Sequence, residues 1–164
     1  EVPIACLQYN ISILSLDNFL ICKECFERWG ISTIAFSPLN QGILTDNYFQ
    51  NSKPKNSRSQ ESNTTIHPKN IMIEERLSYI NEISKKHLLS IEELAFSFLF
   101  SNQFISSVAY GPRNLSQVLN MDDCLKNIEI IKNQFKISEL IENSISTLDQ
   151  WKERDTRSIY NIIE

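Results

Sequence analysis

Glycine is scarce in this sequence, with only Gly30, Gly42 and Gly111 among 164 residues. Because glycine is the usual residue where a backbone turns tightly or lies against a ligand, each is expected to mark such a place. Basic residues are not in excess either, since 16 lysines and arginines face 20 acidic residues and the net charge is −4. A chain without a basic field is not expected to bind nucleic acid or an anionic membrane surface.

Long apolar runs are also missing. No segment reaches the roughly 20 apolar residues that a membrane-spanning helix needs, and the first residues lack the basic-then-apolar pattern of a secretory signal. We therefore expect no membrane partner and a cytoplasmic protein, or an organellar one whose import signal lies outside this sequence. The composition, 41% apolar and 22% charged, is typical of a globular domain with a hydrophobic core.

Residues that bind metals are few. The chain has two histidines and four cysteines, of which Cys22 and Cys25 have the CxxC spacing of metal and redox sites. No second pair or nearby histidine completes a tetrahedral ligand set, and the pair lies inside a helical pattern rather than at a strand-to-helix turn. We interpret these cysteines as reduced thiols packed in a helix, and we expect no metal site.

Short apolar segments alternate with helical patterns along the chain. Residues 2–9 and 31–36 are predicted to be buried strands, and residues 104–110 are predicted to be a third strand. An amphipathic helix is predicted between the first two, with Asp17 as its N-cap and Gly30 just after its end. Strands that alternate with helices indicate parallel βαβ units with right-handed crossovers, so the predicted fold class is α/β.

Helices dominate the second half of the chain. An amphipathic helix is predicted to end at residues 85–87, three cations that suit a helix C-terminus. The stretch Ser90-Ile91-Glu92-Glu93 has the pattern of a capping box and opens a helix that is apolar nearly all round, which predicts its burial. A second capping pattern follows the third strand at residues 114–117. The last amphipathic helix is predicted over residues 137–151.

The number of strands raises a problem. Three parallel strands cannot close a barrel, and an open sheet of three leaves both edges unprotected. The chain also begins almost directly on its first strand, with Glu1 rather than methionine. The hydrophobic pattern alone explains neither observation.

Two ordered motifs carry a family resemblance. The first follows the second strand and resembles the Y/W-S-P-L-x-x-G-x-L-T-G-K-Y signature of the aldo-keto reductases; its residues are Phe36-Ser37-Pro38-Leu39, Gly42, Leu44, Thr45 and Tyr48. The second resembles that family's S-x-x-x-G-x-R/T-x-x-x-Q-L segment; its residues are Ser107, Gly111, Arg113 and Gln117. The resemblance covers residues 2–125 and is nearest to the branch of the potassium-channel β-subunit and its bacterial and plant relatives.

The resemblance implies a (β/α)8 TIM barrel, of which this chain would be the C-terminal half, strands 6 to 8 with their helices. A whole barrel takes about 250 residues, so the expected partner is the missing N-terminal half-barrel or a second copy of the chain in a homo-oligomer. In the family the catalytic Asp, Tyr, Lys and His lie on the first half, so no catalytic residue is expected here. The part present would be the cofactor-binding half.

The first motif implies contacts with NADP. Active sites of (β/α)8 barrels lie at the C-terminal ends of the strands, which is where Phe36 falls. Phe36 would stack on the nicotinamide ring, as the family's Tyr or Trp does. Ser37, Pro38 and Leu39 would lie along the pyrophosphate, and Gly42 would let the chain turn beneath it. The alternative is that Phe36 belongs to the barrel core and Ser37-Pro38 only ends a strand.

The second motif implies contacts with the adenosine end of the cofactor. A strand that ends in Gly111-Pro112-Arg113 and leads into a capped helix brings N–H groups, a positive dipole end and a guanidinium together, which suits a phosphate. By family position Arg113 would bind the 2′-phosphate, with Gln117 and Asn120 on the adenine side. Gln117 cannot both complete a capping box and bind adenine, and a surface turn with an ordinary cap is the alternative.

The sequence departs from the family where it matters for the cofactor. Cys6 replaces the glutamine that bonds the nicotinamide amide, Asp46-Asn47 replaces Gly-Lys, and Met121 replaces an asparagine that touches adenine. The polar segment 49–70 matches the loop that folds over the cofactor in relatives, where Arg58 and two neighbouring lysines would replace the lost positive charge. An insertion without order is the alternative for this segment.

The function implied is that of an NADPH-dependent oxidoreductase that reduces a small aldehyde or ketone by hydride transfer, with a tyrosine of the missing half supplying the proton. The rival hypothesis is a degenerate aldo-keto-reductase-like protein that binds nucleotide or a protein partner without turnover. The changes at Cys6, Asn47 and Met121 favour this rival. A third possibility is an α/β scaffold with no ligand.

Overall fold

The computed structural model describes residues 4–15, 26–50 and 71–134. Its elements follow one another in the order β1 (Cys6–Asn10), β2 (Ser32–Phe36), α1 (Asp46–Gln50), α2 (Ile71–His87), α3 (Ile91–Phe100), β3 (Ile105–Ala109) and α4 (Leu115–Gln134). A short 3-10 turn, Asn40–Gly42, lies between β2 and α1. The predictions for Asp17, for the CxxC pair and for a helix over residues 137–151 lie outside the described residues.

The three strands form one parallel sheet in the order β1-β2-β3. Asn10 pairs with Phe36, and Phe36 pairs with Ala109, so the carboxyl ends of all three strands lie side by side. A register shift falls between Thr33 and Ile34, away from this edge. The parallel pairing confirms the α/β class that the alternating pattern predicted.

The buried helix α3 forms the centre of the core. Phe98 and Leu99 of α3 pack with Ala35 of β2, Ile105 of β3 and Ile131 of α4. The buried side chains of α3 are Ile91, Leu94, Ala95, Phe96, Ser97, Phe98 and Leu99. A helix with apolar residues on every side gains most free energy when it is enclosed, and its predicted burial is confirmed.

Helices cover one face of the sheet, and the described part of the chain leaves the other face open. Side chains alternate along a strand, so Leu7 and Tyr9 of β1 pack against the core. The exposed side chains are Cys6, Gln8 and Asn10 in β1 and Ser106, Ser107 and Ala109 in β3. The prediction of a buried first strand is therefore wrong, because only one of its faces is covered.

Two helix ends follow the capping patterns of the sequence. Ser90 Oγ accepts a hydrogen bond from the Glu93 N–H at 3.1 Å, and Glu93 Oε2 accepts one from the Ser90 N–H at 2.9 Å. This pair is the predicted capping box of α3. Residues 26–29 are helical, and Gly30 after them has φ 63°. That left-handed conformation confirms the predicted role of Gly30 in ending a helix.

Candidate functional site

The candidate site is the edge of the sheet at which the three strands end. Asn10, Phe36 and Ala109 lie side by side there. Residues 37–45 follow β2 and residues 110–114 follow β3, so both sequence motifs reach this edge. Ligands of parallel α/β proteins bind at the carboxyl ends of the strands. The structure therefore brings the two motifs together at the place where such a fold binds ligands.

Phe36 lies at the end of β2 and is half-buried. It belongs to neither of the two buried clusters formed by the described residues. Its neighbour Ala35 is fully buried against the helices, so the alternation of the strand directs Phe36 to the open face. Among the described residues Phe36 is thus not part of the core.

The loop after β2 contains several left-handed residues. Ser37, Asn40 and Gln41 have φ of 55°, 44° and 60°, although none of them is glycine, and Gly42 has φ 97°. The carbonyl of Ser37 accepts the Asn40 N–H at 2.8 Å, and the carbonyl of Leu39 accepts the Gly42 N–H at 2.9 Å. Such φ values are uncommon for non-glycine residues and persist where surrounding contacts hold them. The expected turn at Gly42 is confirmed.

Pro38 and Leu39 direct their side chains inward. Both are buried, and Leu39 packs in the core with Ile43 and Leu44. A ligand at the edge of the sheet would therefore meet the backbone of these two residues rather than their side chains. The half-buried Ser37 is the residue of this loop that keeps a hydroxyl near the edge.

The short helix α1 was missed by the sequence analysis and is capped by a threonine. Thr45 Oγ1 accepts the Tyr48 N–H at 3.2 Å and donates to the carbonyl of Gly42 at 2.8 Å. One hydroxyl therefore joins the left-handed loop to the first turn of α1. A threonine followed by an aspartate ahead of Tyr48 and Phe49 was the available sequence signal, because Thr is a favoured N-cap and an acid suits the first turn.

Asp46 connects α1 to the N-terminus of α3. Asp46 Oδ1 accepts the Ile91 N–H at 2.9 Å, and the Asp46 N–H donates to Glu92 Oε2 at 3.1 Å. The carboxylate of Asp46, a negative charge where the family has glycine, therefore faces the positive end of the α3 helix dipole. Desolvation by burial raises the pKa of the Glu92 carboxyl; the hydrogen bond from the Asp46 N–H opposes this shift, and the nearby charges of Asp46 and Glu93 add to it.

The loop after β3 begins with an aromatic contact. The Tyr110 ring meets the Phe96 ring edge-to-face with centroids 5.6 Å apart, and burial raises the pKa of Tyr110. The next residues, 111–113, are exposed. Gly111 has no positive φ, and a Cβ added to it would meet no atom within 4 Å. No turn therefore requires glycine at this position.

Two side-chain hydrogen bonds lie at the N-terminus of helix α4. Asn114 Oδ1 accepts the Gln117 N–H at 3.0 Å, and Gln117 Oε1 accepts the Arg113 N–H at 2.7 Å. The Gln117 side chain thus bonds the N–H of Arg113, the residue before the N-cap Asn114. In a capping box it would bond the N–H of Asn114 itself. In this structure the Gln117 side-chain oxygen is engaged within the protein, by the N–H of Arg113. Asn120 is exposed one turn further along α4, on the same side of the helix as Gln117.

The first strand places its polar residues differently from the sequence analysis. Cys6 pairs with Ser32 at the amino end of the sheet, four residues from Asn10 or roughly 13 Å at the rise of a strand. The exposed polar side chain of β1 at the carboxyl edge is Asn10. The sequence analysis missed Asn10 because it ended the strand at Tyr9. Arg58, expected to reach the cofactor, lies outside the described residues.

Residues 1–142 match the Aldo/keto reductase family. The chain belongs to this family. Two curated relatives, the L-glyceraldehyde 3-phosphate reductases of Escherichia coli O157:H7 and of Escherichia coli K12, are each 30% identical over 111 residues, which is 64% of this chain and 32% of theirs. The chain therefore spans about a third of the length of the curated relatives it matches.

A solved structure of a thermostable aldo-keto reductase in complex with the inhibitor epalrestat also aligns with this chain. The alignment covers 77% of this chain and 36% of the other, with 15% identity and a TM-score of 0.48. The family resemblance inferred from the two motifs is confirmed by the family match. Membership makes this aldo/keto reductase chain part of a family of oxidoreductases with a TIM-barrel-type fold, for which a nicotinamide cofactor is typical.

Those cysteines and acids of this aldo/keto reductase chain that the structure describes form no evident metal centre. The described residues contain no group of three or more His, Cys, Asp or Glu side chains placed to hold a metal ion. Burial raises the pKa of the Cys124 thiol to about 12, and nearby acidic residues add to this shift. A thiol in that environment is a poor nucleophile. No helix among the described residues is long and apolar enough to cross a bilayer.

Proposed function

We propose that this chain is the C-terminal, cofactor-binding half of a (β/α)8 barrel, and that the complete protein is an NADPH-dependent reductase of small aldehydes or ketones. The observation that carries the proposal is the meeting of the two motifs at one carboxyl edge of a parallel sheet. Phe36 pairs directly with Ala109, so the loop with Ser37 lies beside the loop with Arg113. A dinucleotide that spans both loops would have its nicotinamide at one and its adenosine phosphate at the other.

The uncovered face of the sheet supports the barrel half. Parallel sheets are normally covered on both faces, yet Gln8 and Asn10 in β1 and Ser107 and Ala109 in β3 are exposed. In a closed barrel these side chains would face the interior and the remaining strands would pair with the two sheet edges. The proposed partner is accordingly the N-terminal half-barrel, which would also supply the catalytic residues.

Each site residue has a role in the proposal that follows from its place at the edge. Phe36 stacks on the nicotinamide, and Ser37 with the backbone of Pro38 and Leu39 meets the pyrophosphate, above the turn at Gly42. The remaining contacts, to the adenosine end, come from Gly111, Arg113, Gln117 and Asn120. By family position Arg58, which lies outside the described residues, would close over the cofactor. Arg113 decides the preference for NADPH, because a guanidinium binds the doubly charged 2′-phosphate through charge-assisted, bidentate hydrogen bonds.

The preference for NADPH is tested by titrating the complete protein with NADPH and with NADH. Arg113→Ala should lower NADPH affinity by roughly tenfold to 150-fold, since a hydrogen bond to a charged group is worth about 1.5 to 3 kcal/mol. NADH affinity should hardly change. Equal losses for both cofactors would show that Arg113 supports the loop and does not recognise the phosphate. Absence of binding to either cofactor in the unmodified complete protein would contradict the proposed function.

The stacking role of Phe36 is tested with the same titrations. Phe36→Ala should weaken NADPH and NADH alike by about 1 to 3 kcal/mol, the range found for an aromatic stacked on a base. Its cost in unfolding free energy should stay below the about 3 to 5 kcal/mol typical of a core phenylalanine, because in the proposal the Phe36 ring lies at the carboxyl end of its strand and contacts the cofactor rather than side chains inside the barrel. A large loss of stability with unchanged cofactor affinity would identify Phe36 as barrel core.

A further inference from the structure

The loop between β2 and α1 has a conformation that its own residues do not favour. Ser37, Asn40 and Gln41 all have positive φ, although side chains beyond the Cβ resist this region. The loop also carries residues that the proposed function places against the pyrophosphate. A loop of this kind stays in one conformation only when contacts outside it hold its ends.

One end of the loop continues directly from β2, and the other end is held by Asp46. Two hydrogen bonds of opposite direction join Asp46 to the first turn of α3, one through its carboxylate to the Ile91 N–H and one through its own N–H to Glu92. The preceding residue, Thr45, connects Asp46 to the loop, because its hydroxyl donates a hydrogen bond to the Gly42 carbonyl. The α3 helix is the most enclosed element of the described core, so it is a rigid anchor.

We propose that Asp46 is a positioning residue for the cofactor loop. It fixes residues 37–45 to the N-terminus of α3, so that the loop already has the conformation in which its backbone receives the pyrophosphate. This inference rests on the proposed function for its ligand, though not for the attachment itself. A loop ordered in advance loses less entropy on binding, which would offset the missing cation at Asn47.

The test uses the complete protein and three aspartate variants. Asp46→Ala removes the acceptor of the Ile91 N–H, whereas Asp46→Asn keeps an oxygen at that position and removes only the charge. Asp122→Ala is the matched control, because Asp122 is an exposed acid of α4 whose partner is the equally exposed Lys126. Two quantities are measured for each variant: hydrogen exchange of the loop amides of Gly42 and Leu44, and NADPH affinity.

Asp46→Ala should speed exchange of both loop amides and weaken NADPH binding by about tenfold, the scale of one hydrogen bond. Asp46→Asn should have a smaller effect than Asp46→Ala in both measurements, because it keeps the acceptor of the Ile91 N–H and loses only the strengthening that the charge gives to this hydrogen bond. Asp122→Ala should change neither. Unchanged exchange in Asp46→Ala would overturn the proposal, and so would equal effects of Asp46→Ala and Asp46→Asn.

A second pair of variants removes the same hydrogen bond from the α3 side. Ile91→Pro deletes the N–H that Asp46 accepts, at the first helical position, where proline is well tolerated. Ile91→Ala keeps that N–H and loses only the buried side chain, so the difference between the two variants reports the attachment. Faster loop exchange in Ile91→Pro than in Ile91→Ala supports the proposal, and equal exchange contradicts it. If the unmodified protein binds no nicotinamide cofactor, the proposed function fails while the exchange data still decide on the attachment.

Discussion

Replacing Gly42 and Gly111 by alanine should separate a glycine that the fold needs from one that a ligand needs. Gly42 has φ 97°, and an alanine forced into left-handed backbone loses about 1 to 2 kcal/mol. Gly111 has no positive φ and open space around the position of a Cβ. Alanine there fits the native backbone and should stabilise by about 0.4 to 1 kcal/mol, because it restricts the unfolded chain.

Urea denaturation of the complete protein measures both changes. Gly42→Ala should lower the free energy of unfolding by about 1 to 2 kcal/mol, and Gly111→Ala should leave it unchanged or raise it by up to about 1 kcal/mol. Clear destabilisation by Gly111→Ala would refute the conformation described for the loop after β3.

Cofactor titration of the same two variants then tests the ligand. If the backbone of Gly111 lies against the adenosine phosphate, a methyl group separates the two, and Gly111→Ala should weaken NADPH binding by about tenfold although the protein is no less stable. The combination of undiminished stability and reduced affinity is the informative result. Undiminished NADPH affinity in Gly111→Ala would show that no phosphate approaches this residue, and the placement of the adenosine end would have to be abandoned.

Two further predictions concern stability. Thr33→Val should raise the free energy of unfolding by about 1 kcal/mol, because the fully buried Thr33 Oγ1 has no hydrogen-bond partner among the described residues. Thr45→Val should lower the free energy of unfolding by about 1 to 2 kcal/mol, because it removes the cap of α1. Urea melts that show both variants destabilised would mean that Thr33 does find a partner. Glu92→Gln should gain stability over the unmodified protein at about pH 7 and lose that advantage at about pH 4: burial raises the pKa of Glu92, so its contribution is fully present below the pKa of the unfolded chain and is lost as the pH rises through the folded pKa. Melts whose difference does not depend on pH would contradict this reasoning.

The parts of the fold that the sequence predicted correctly are those set by local patterns. The capping box from Ser90 to Glu93 and the helix after it need only the spacing of a few neighbouring residues. The short helix α1 was missed because five residues are too few to show a helical period. Its stability depends on contacts of Asp46 with Ile91 and Glu92, about 45 residues away in the chain, which no local pattern contains.

In the candidate site, too, some features could be predicted from the sequence and others could not. Parallel strands bring their carboxyl ends together whatever their sequence, so the meeting of Phe36 with the loop of Arg113 was predictable from topology. The register of β1 was not, because a shift of one residue reverses which side chains face the core. In addition, the sequence analysis ended the strand at Tyr9, one residue short, and so overlooked Asn10. An apolar strand gives no sign of whether a second layer covers it, so the open face was expected only from the resemblance to half of a barrel.

The two helix N-termini near the edge differ in what they leave for an anionic ligand. The dipole of α3 is directed at the Asp46 carboxylate, which accepts the Ile91 N–H, so this positive end is neutralised within the protein. At α4 the Gln117 N–H is bound by Asn114 Oδ1, and the Arg113 N–H is bound by Gln117 Oε1. The Asp46 carboxylate thus occupies the N-terminus of α3, and the side chains of Asn114 and Gln117 occupy two backbone N–H groups at the start of α4. Asp46 thus contributes order to the loop after β2, and under the proposed function the exposed Arg113 is the residue that brings a positive charge to the phosphate at this edge.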